Sequence, residues 1–149
     1  MTLQALQLTC TRGERTLFEG LDLRVGPGQA LWLAGPNGSG KTSLLRLLAG
    51  LAQPSEGEVR WQGTRIERQR ERFHRALLWC GHASGSTDEL DAVEHLRHTA
   101  RLRGHGCSER EALAALEHFG LAGVADLPAR ALSQGQRKRI GLARLALAP

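Results

Sequence analysis

The sequence predicts an α/β fold, on three observations. Residues 3–9 and 21–25 alternate apolar and polar side chains, as half-buried strands do, and residues 57–63 form a further short strand bounded by glycines. Residues 30–34 and 76–80 are continuous apolar runs, the mark of strands covered on both faces. Residues 88–130 carry helical spacing throughout. With 41% hydrophobic residues in 149, the chain can bury a real core, which excludes whole-chain disorder.

The elements follow in order. Residues 3–9 alternate with one slip: Leu3, Ala5, Leu6 and Leu8 stand against Gln4, Gln7 and Thr9. Gly13-Glu14 marks a turn. Residues 21–25 alternate cleanly, and Gly26-Pro27-Gly28 breaks that strand. Residues 30–34 read as the first buried strand. Residues 42–51 are Leu-rich with helical period, and Gly50 or Gln53-Pro54 ends them. A short strand spans 57–63. Residues 67–75 form a charged helix, in which Glu67 and Glu71 interleave with Arg68, Arg70, Arg72 and Arg75. Residues 76–80 are the second buried run, and 81–86 a loop. Helical spacing returns over 89–103, with Leu90, Val93, Leu96 and Leu102 on one side. Ser108, with Glu111 three residues on, is a capping box opening a helix that ends at Gly120. Asp126-Leu127-Pro128 is a connector, and Ser133 opens a last helix running to Ala148.

Charge and cysteines narrow the function. The net charge is +5, almost all of the positive charge being arginine, since Lys41 and Lys138 are the two lysines. The interleaved glutamates make the arginine run a solvated helix face. With no Tyr and only three Phe and three Trp, few side chains could stack on bases, so no nucleic acid is expected as a partner. Cys10, Cys80 and Cys107 form no C-x-x-C pair and read as reduced structural thiols. No apolar run reaches the roughly 18 residues of a membrane span. The start, Met1-Thr2-Leu3-Gln4, lacks the pattern of a signal peptide, so the cytosol is expected.

The decisive run is Gly35-Pro36-Asn37-Gly38-Ser39-Gly40-Lys41-Thr42, which fits G-x-x-x-x-G-K-[ST] without a mismatch. Glycines let successive N–H groups turn inward around a β-phosphate where side chains would clash. The helix that follows aims its partial positive charge at the same anion. Lys41 supplies a cation for the β/γ oxygens, and the Thr42 hydroxyl can ligate Mg²⁺. At this composition the pattern arises by chance in roughly 0.3% of chains, too rarely to set aside its phosphate chemistry.

Leu132-Ser133-Gln134-Gly135-Gln136 is a second signal. Taken alone it is a capping box, Ser133 as N-cap with Gln136 reaching back. Downstream of a phosphate loop it also resembles the Leu-Ser-Gly-Gly-Gln signature of the ATP-binding-cassette (ABC) ATPases, and the two readings are compatible. Residues 137–144, Arg137-Lys138-Arg139-Ile140-Gly141-Leu142-Ala143-Arg144, resemble the helix after that signature. Within the superfamily, residues 10–18 (Cys10-Thr11-Arg12-Gly13-Glu14-Arg15-Thr16-Leu17-Phe18), 57–63 and 78–82 are similar to the ATP-binding subunits of the cytochrome c biogenesis heme exporter (the CcmA family). This resemblance covers the whole chain.

The resemblance implies a phosphate-loop NTPase core with a small antiparallel β part and a helical subdomain, lacking the C-terminal strands. Residues 1–83 would be the β part and core, 84–134 the helical subdomain and 135–149 the signature helix. It implies ATP and Mg²⁺ as cofactors. Gly35, Pro36, Asn37, Gly38, Ser39, Gly40, Lys41, Thr42 and Ser43 would hold the nucleotide, with Thr42 on the metal. Ser133, Gln134, Gly135 and Gln136 would face the γ-phosphate of a second ATP-binding subunit in a head-to-tail dimer. The other partners would be integral membrane transporter subunits, which places the protein at the cytoplasmic face of the membrane.

Several positions depart from the family pattern. The family commonly has a Gln after the second buried strand; Ala83 stands there, beside His82, which is either a water-contacting group or an exposed loop side chain. The family often stacks adenine on an aromatic residue; here the place belongs to Arg12, either a guanidinium stacked on the base or a solvated arginine. No apolar run ending in Asp-Glu follows the signature, so the chain reads as C-terminally truncated, with no complete catalytic set, and inactive alone. Two rival readings remain: a cassette ATPase of translation or DNA repair, and a catalytically inactive nucleotide-binding module.

Overall fold

The structure, a computed structural model, describes residues 1–81 and 90–147. The chain divides into two compact units, Met1–Leu77 and Leu78–Pro149.

The first unit is built on a four-stranded antiparallel sheet in the order β2-β1-β3-β4, from β1 (Leu3–Arg12), β2 (Arg15–Val25), β3 (Glu56–Trp61) and β4 (Thr64–Arg65). The slip in the alternation of β1 is a bulge. Ala5 pairs with Leu23 and Leu8 with Leu21, with an irregular register between them. Gln7 sits there at φ 49°, and its N–H donates to Asp22 Oδ1 at 2.8 Å. The extra residue lets both Ala5 and Leu8 be fully buried although their spacing is odd. Gly57 is required opposite the bulge, because a Cβ there would lie 2.2 Å from the Gln7 carbonyl oxygen.

Helix α1 (Lys41–Leu48) and helix α2 (Arg70–Ala76) cover this sheet. Leu44 and Leu48 of α1 and Phe73 of α2 join Ala5, Leu8, Val59, Trp61 and Ile66 in one core. Helix α1 stops three residues before the expected end. The N–H groups of Gly50 and Leu51 turn back to the carbonyls of Leu47 (3.0 Å) and Arg46 (2.9 Å), a Schellman closure that uses Gly50 at φ 66°.

Both continuous apolar runs depart from expectation. Residues 30–34 form no strand, and Leu31 and Trp32 are 47% and 88% exposed. In the second run, Ala76 ends α2 and residues 77–80 have no regular structure. A strand buried on both faces exists only through its ladder neighbours, and no parallel pair forms among the described residues. Both runs are apolar, and the pairing that composition calls for is not made among the described residues.

The second unit holds helices α3 (Ala92–Leu102), α4 (Glu109–His118) and α5 (Gln134–Ala143), the last continued by a 3₁₀ turn over Arg144–Leu147. They pack around Leu96, Leu116, Leu121 and Ile140. Each starts with a reciprocal capping box: Asp91 with Glu94, Ser108 with Glu111, and Ser133 with Gln136. Helix α4 closes at Gly120 as expected, with Gly120 N–H on Glu117 and Leu121 N–H on Leu116, both at 2.9 Å. Among the described residues no helix is long and apolar enough to cross a membrane.

The α4 box yields a prediction. Ser108 donates to Glu111 Oε2 through its backbone N–H (2.8 Å) and its hydroxyl (2.6 Å). These bonds hold the Glu111 carboxyl below the ordinary glutamate value. A carboxylate depressed in the folded state stabilises it above the unfolded pKa, and that contribution is lost as pH falls through the folded one. Ser108→Ala removes the N-cap and should destabilise the unit by about 1 kcal/mol at neutral pH. The gap between the two proteins should narrow as pH drops below about 4. Paired thermal melts at pH 7 and pH 3 check both statements; a gap that widens at pH 3 contradicts them.

Candidate nucleotide-binding site

The phosphate loop spans the turn between residue 34 and α1. Gly35, Gly38 and Gly40 take φ values of 148°, 81° and 92°. These angles are open to glycine and costly for other residues, so the pattern of three glycines is what lets the chain curl here. Ser39 N–H closes the turn on the Pro36 carbonyl at 3.3 Å.

Gly40 is the N-cap of α1 and offers no side chain to the helix. The first intrahelical bond runs from Leu44 N–H to the Gly40 carbonyl at 2.8 Å. The N–H groups of Lys41, Thr42 and Ser43 precede it and so lack an intrahelical acceptor. Together with the helix dipole they favour an anion at this end. No acidic residue occupies the first turn of α1 to compete for it.

Lys41 curls back over the loop, its ammonium donating to the carbonyls of Gly35 (2.8 Å) and Pro36 (2.7 Å). It is thereby held inside the curve that the glycines make. Thr42 is exposed on the first turn and Ser43 is half-buried. Pro36, Asn37, Gly38 and Ser39 are all exposed along the loop. The arrangement brings one cation, backbone donors and a hydroxyl together within one curled stretch of eight residues, which is the chemistry of polyphosphate binding.

For a divalent cation, the Thr42 hydroxyl is the donor that fits. Among the described residues no cluster of His, Cys, Asp or Glu could hold a metal by itself. A hydroxyl plus phosphate oxygens suits Mg²⁺, which keeps several waters and takes few protein ligands.

The loop rests on the β1–β2 hairpin. A Cβ on Gly40 would meet Leu17 Cβ at 3.2 Å and the Phe18 ring at 3.2–3.4 Å. Arg12 lies at the tip of that hairpin, exposed, and opposite Arg15. The position of Arg15 was not legible from alternation. The clean pattern begins at Leu21, whereas the strand begins six residues earlier, at Arg15.

The signature run lies in the second unit. Ser133 Oγ accepts from Gln136 N–H at 3.2 Å, and Gln136 Oε1 accepts from Ser133 N–H at 2.8 Å. The capping-box reading therefore holds. Leu132 is buried, while Ser133, Gln134 and Gly135 are exposed. Arg137 braces the turn by donating to the carbonyls of Leu132 (3.1 Å) and Arg130 (3.2 Å). A side chain at Gly135 would meet nothing closer than Ser133 Oγ at 3.9 Å, so the turn presents an open face. His82 and Ala83 lie outside the described residues.

Residues 18–149 match the family described as ABC transporter. The chain belongs to that family. Its ABC relatives include the cytochrome c biogenesis ATP-binding export protein CcmA of Aromatoleum aromaticum, 54% identical over 97% of this chain and 68% of that protein. The protein of the same name from Nitrosospira multiformis is 50% identical over 97% of this chain and 70% of its own length. Solved ABC structures share the fold. A putative ABC transporter ATP-binding protein from Pyrococcus furiosus superposes with a TM-score of 0.87 at 23% identity, covering 97% of this chain and 70% of that one. The ATP-binding cassette MJ0796, solved as a dimer bound to ADP and Pi, gives 0.82 at 24% identity, over 98% of this chain and 69% of that one.

Proposed function

We propose that the chain is the ATP-binding subunit of an ABC transporter that serves heme export in cytochrome c maturation. The Lys41 geometry carries the nucleotide part: an ammonium held at 2.7–2.8 Å from two carbonyls inside a glycine curve at a helix N-terminus. The relatives named for cytochrome c biogenesis support the transport part.

In this reading the backbone of residues 35–40 wraps the β-phosphate, and Pro36, Asn37 and Ser39 shape the wrap. Lys41 exchanges its carbonyl partners for β/γ oxygens. The N–H groups of Lys41, Thr42 and Ser43 complete the cradle; the Thr42 hydroxyl would hold Mg²⁺, which would neutralise phosphate charge there. Arg12 lies over the base. Ser133, Gln134, Gly135 and Gln136 present a second helix N-terminus to the γ-phosphate held by the opposite subunit of a head-to-tail dimer. In sequence, the helical subdomain would precede the signature helix, and membrane-embedded subunits would hold the pair at the cytoplasmic face.

Binding and turnover separate in these 149 residues. No Asp or Glu follows Asp126, so the segment after the signature supplies no carboxylate to polarise water. General-base help is worth about 10²–10⁴-fold. The 149-residue chain should accordingly bind ATP and show no steady-state hydrolysis above background; turnover that depends on Lys41 contradicts this.

The transport assignment is tested by replacing the matching part of the Aromatoleum aromaticum relative with residues 1–149. Introduced into a strain lacking its own such subunit, the chimera should restore heme-stained c-type cytochromes, and its Lys41→Ala form should not. A chimera that binds ATP but restores no cytochrome argues for a different transport system.

A further inference from the structure

The turn that opens α5 is gripped by one guanidinium. Arg137 is the fourth residue of that helix and is half-buried. Its Nε–H donates to the Leu132 carbonyl at 3.1 Å and its Nη2 to the Arg130 carbonyl at 3.2 Å. These donors share one edge of a planar fork, so the contact is two-point and fixes direction as well as distance. Both carbonyls belong to the stretch just before Ser133, and that stretch is itself fastened. Ala129–Ala131 form a 3₁₀ turn whose Ala129 N–H donates to the Leu90 carbonyl at 3.0 Å. Pro128 bridges to Asp91, the N-cap of α3. Arg137 therefore ties the start of α5 to a turn that is pinned at the start of α3.

Local electrostatics alone do not account for this arginine. A cation near a helix N-terminus is disfavoured by the dipole. The first turns of α3 and α4 carry acids, Glu94 in one and Glu109 and Glu111 in the other. The first turn of α5 carries none, and its box closes through the neutral Gln136. Nor does the cap need Arg137, since Ser133 and Gln136 satisfy each other. What the clamp adds is orientation. It holds the peptide dipoles of residues 130 and 132 on its own side of the turn and leaves Ser133, Gln134 and Gly135 exposed.

We infer that Arg137 is a positioning residue of the signature turn: its two-point clamp on Arg130 and Leu132 sets the direction in which Ser133, Gln134 and Gly135 meet the γ-phosphate of the facing subunit. The inference rests on the trans reading of residues 133–136 proposed above and adds a residue outside that run. Arg137 acts through the backbone of the turn.

The test uses the chimera described above, in which residues 1–149 replace the matching part of the Aromatoleum aromaticum relative. It compares Arg137→Ala, Arg137→Lys and Lys138→Gln, each assayed well below its melting temperature. Arg137→Lys keeps the charge and loses the fork. Lys138→Gln removes a neighbouring charge from an exposed side chain. In both Arg137 variants the monomer should bind ATP as the parent does. Their kcat should fall roughly ten- to hundredfold, the scale of a misplaced group, and the ATP-dependent dimer should diminish on sizing. Lys138→Gln should keep the parental kcat. Recovery of kcat by Arg137→Lys overturns the inference, because charge alone would then suffice; an equal loss in Lys138→Gln overturns it for the same reason. A lower melting temperature in the Arg137 variants with kcat unchanged also overturns it, leaving a brace and nothing more. Weakened ATP binding by their monomers would move Arg137 to its own subunit's site and overturn it too. Arg137→Lys, which can still reach one carbonyl, decides the case if Arg137→Ala does not fold. Ser133→Arg is the reference. If it spares both dimer and kcat, the trans reading fails and the inference with it; if it abolishes both while Arg137→Lys keeps the parental kcat, the failure belongs to the clamp alone.

Discussion

Lys41→Ala is expected to weaken ATP binding by about 2–3 kcal/mol, roughly 30- to 150-fold in Kd. The ammonium is the one lysine charge of the loop, and it is held over the curve by Gly35 and Pro36. Truncating one partner of a hydrogen-bonded charge pair costs about 2–5 kcal/mol, and the exposure of the loop places this site at the lower end. The Lys41 side chain makes its hydrogen bonds within the loop, and the core of the unit is built from other residues. The far-ultraviolet circular dichroism of the variant should thus match wild type while the ATP titration collapses. An unchanged titration would remove Lys41 from the nucleotide site.

Ser133→Arg should act at a different step. Ser133, Gln134 and Gly135 present an open turn at the start of α5, and nothing in that turn belongs to the phosphate loop of the same chain. An arginine there loses the cap, at a cost of about 1 kcal/mol. It also sets a bulky side chain where the facing subunit's phosphate must approach. In a complete cassette carrying these residues, the variant monomer should bind ATP nearly as wild type does, yet the ATP-dependent dimer should vanish from size-exclusion profiles. Mixing it with the Lys41→Ala form should yield dimers with one composite site that keeps both groups and one that has lost both. Loss of monomer binding to the extent seen with Lys41→Ala would return residues 132–136 to a purely structural cap.

The parts of the fold that were legible are those written in local chemistry. The capping boxes at Ser108 and Ser133 and the closure at Gly120 each depend on two or three residues near in sequence, and each is found where expected. The Asp91–Glu94 box has the same logic, but apolar spacing alone extends the helix back to residue 89 and so hides the cap. The slip at residues 5–8 was visible as broken alternation. Its cause, a bulge answered by Gly57 some fifty residues later, is a pairing that one strand cannot disclose. Residues 30–34 and 76–80 show the opposite failure. Their composition asks for neighbours on both sides, and composition does not say whether those neighbours are present.

The candidate site divides along the same line. Gly35, Gly38, Gly40 and Lys41 could be read directly, because a run of eight residues contains the whole cradle. The seating of Gly40 on Leu17 and Phe18, and the arrival of Arg15 beside Arg12, come from a hairpin register shifted by one residue. Nothing in the alternation of residues 15–20 announces that shift.

The central claim is that residues 35–43 hold the phosphates of a nucleotide. The most direct measurement is a ¹H–¹⁵N correlation spectrum of the chain titrated with ATP. The account predicts that the amides of Gly35, Gly38, Gly40, Lys41, Thr42 and Ser43 move together along one binding curve, and that tripolyphosphate moves the same set. Saturable ATP binding that leaves these amides in place while shifting resonances elsewhere would contradict it.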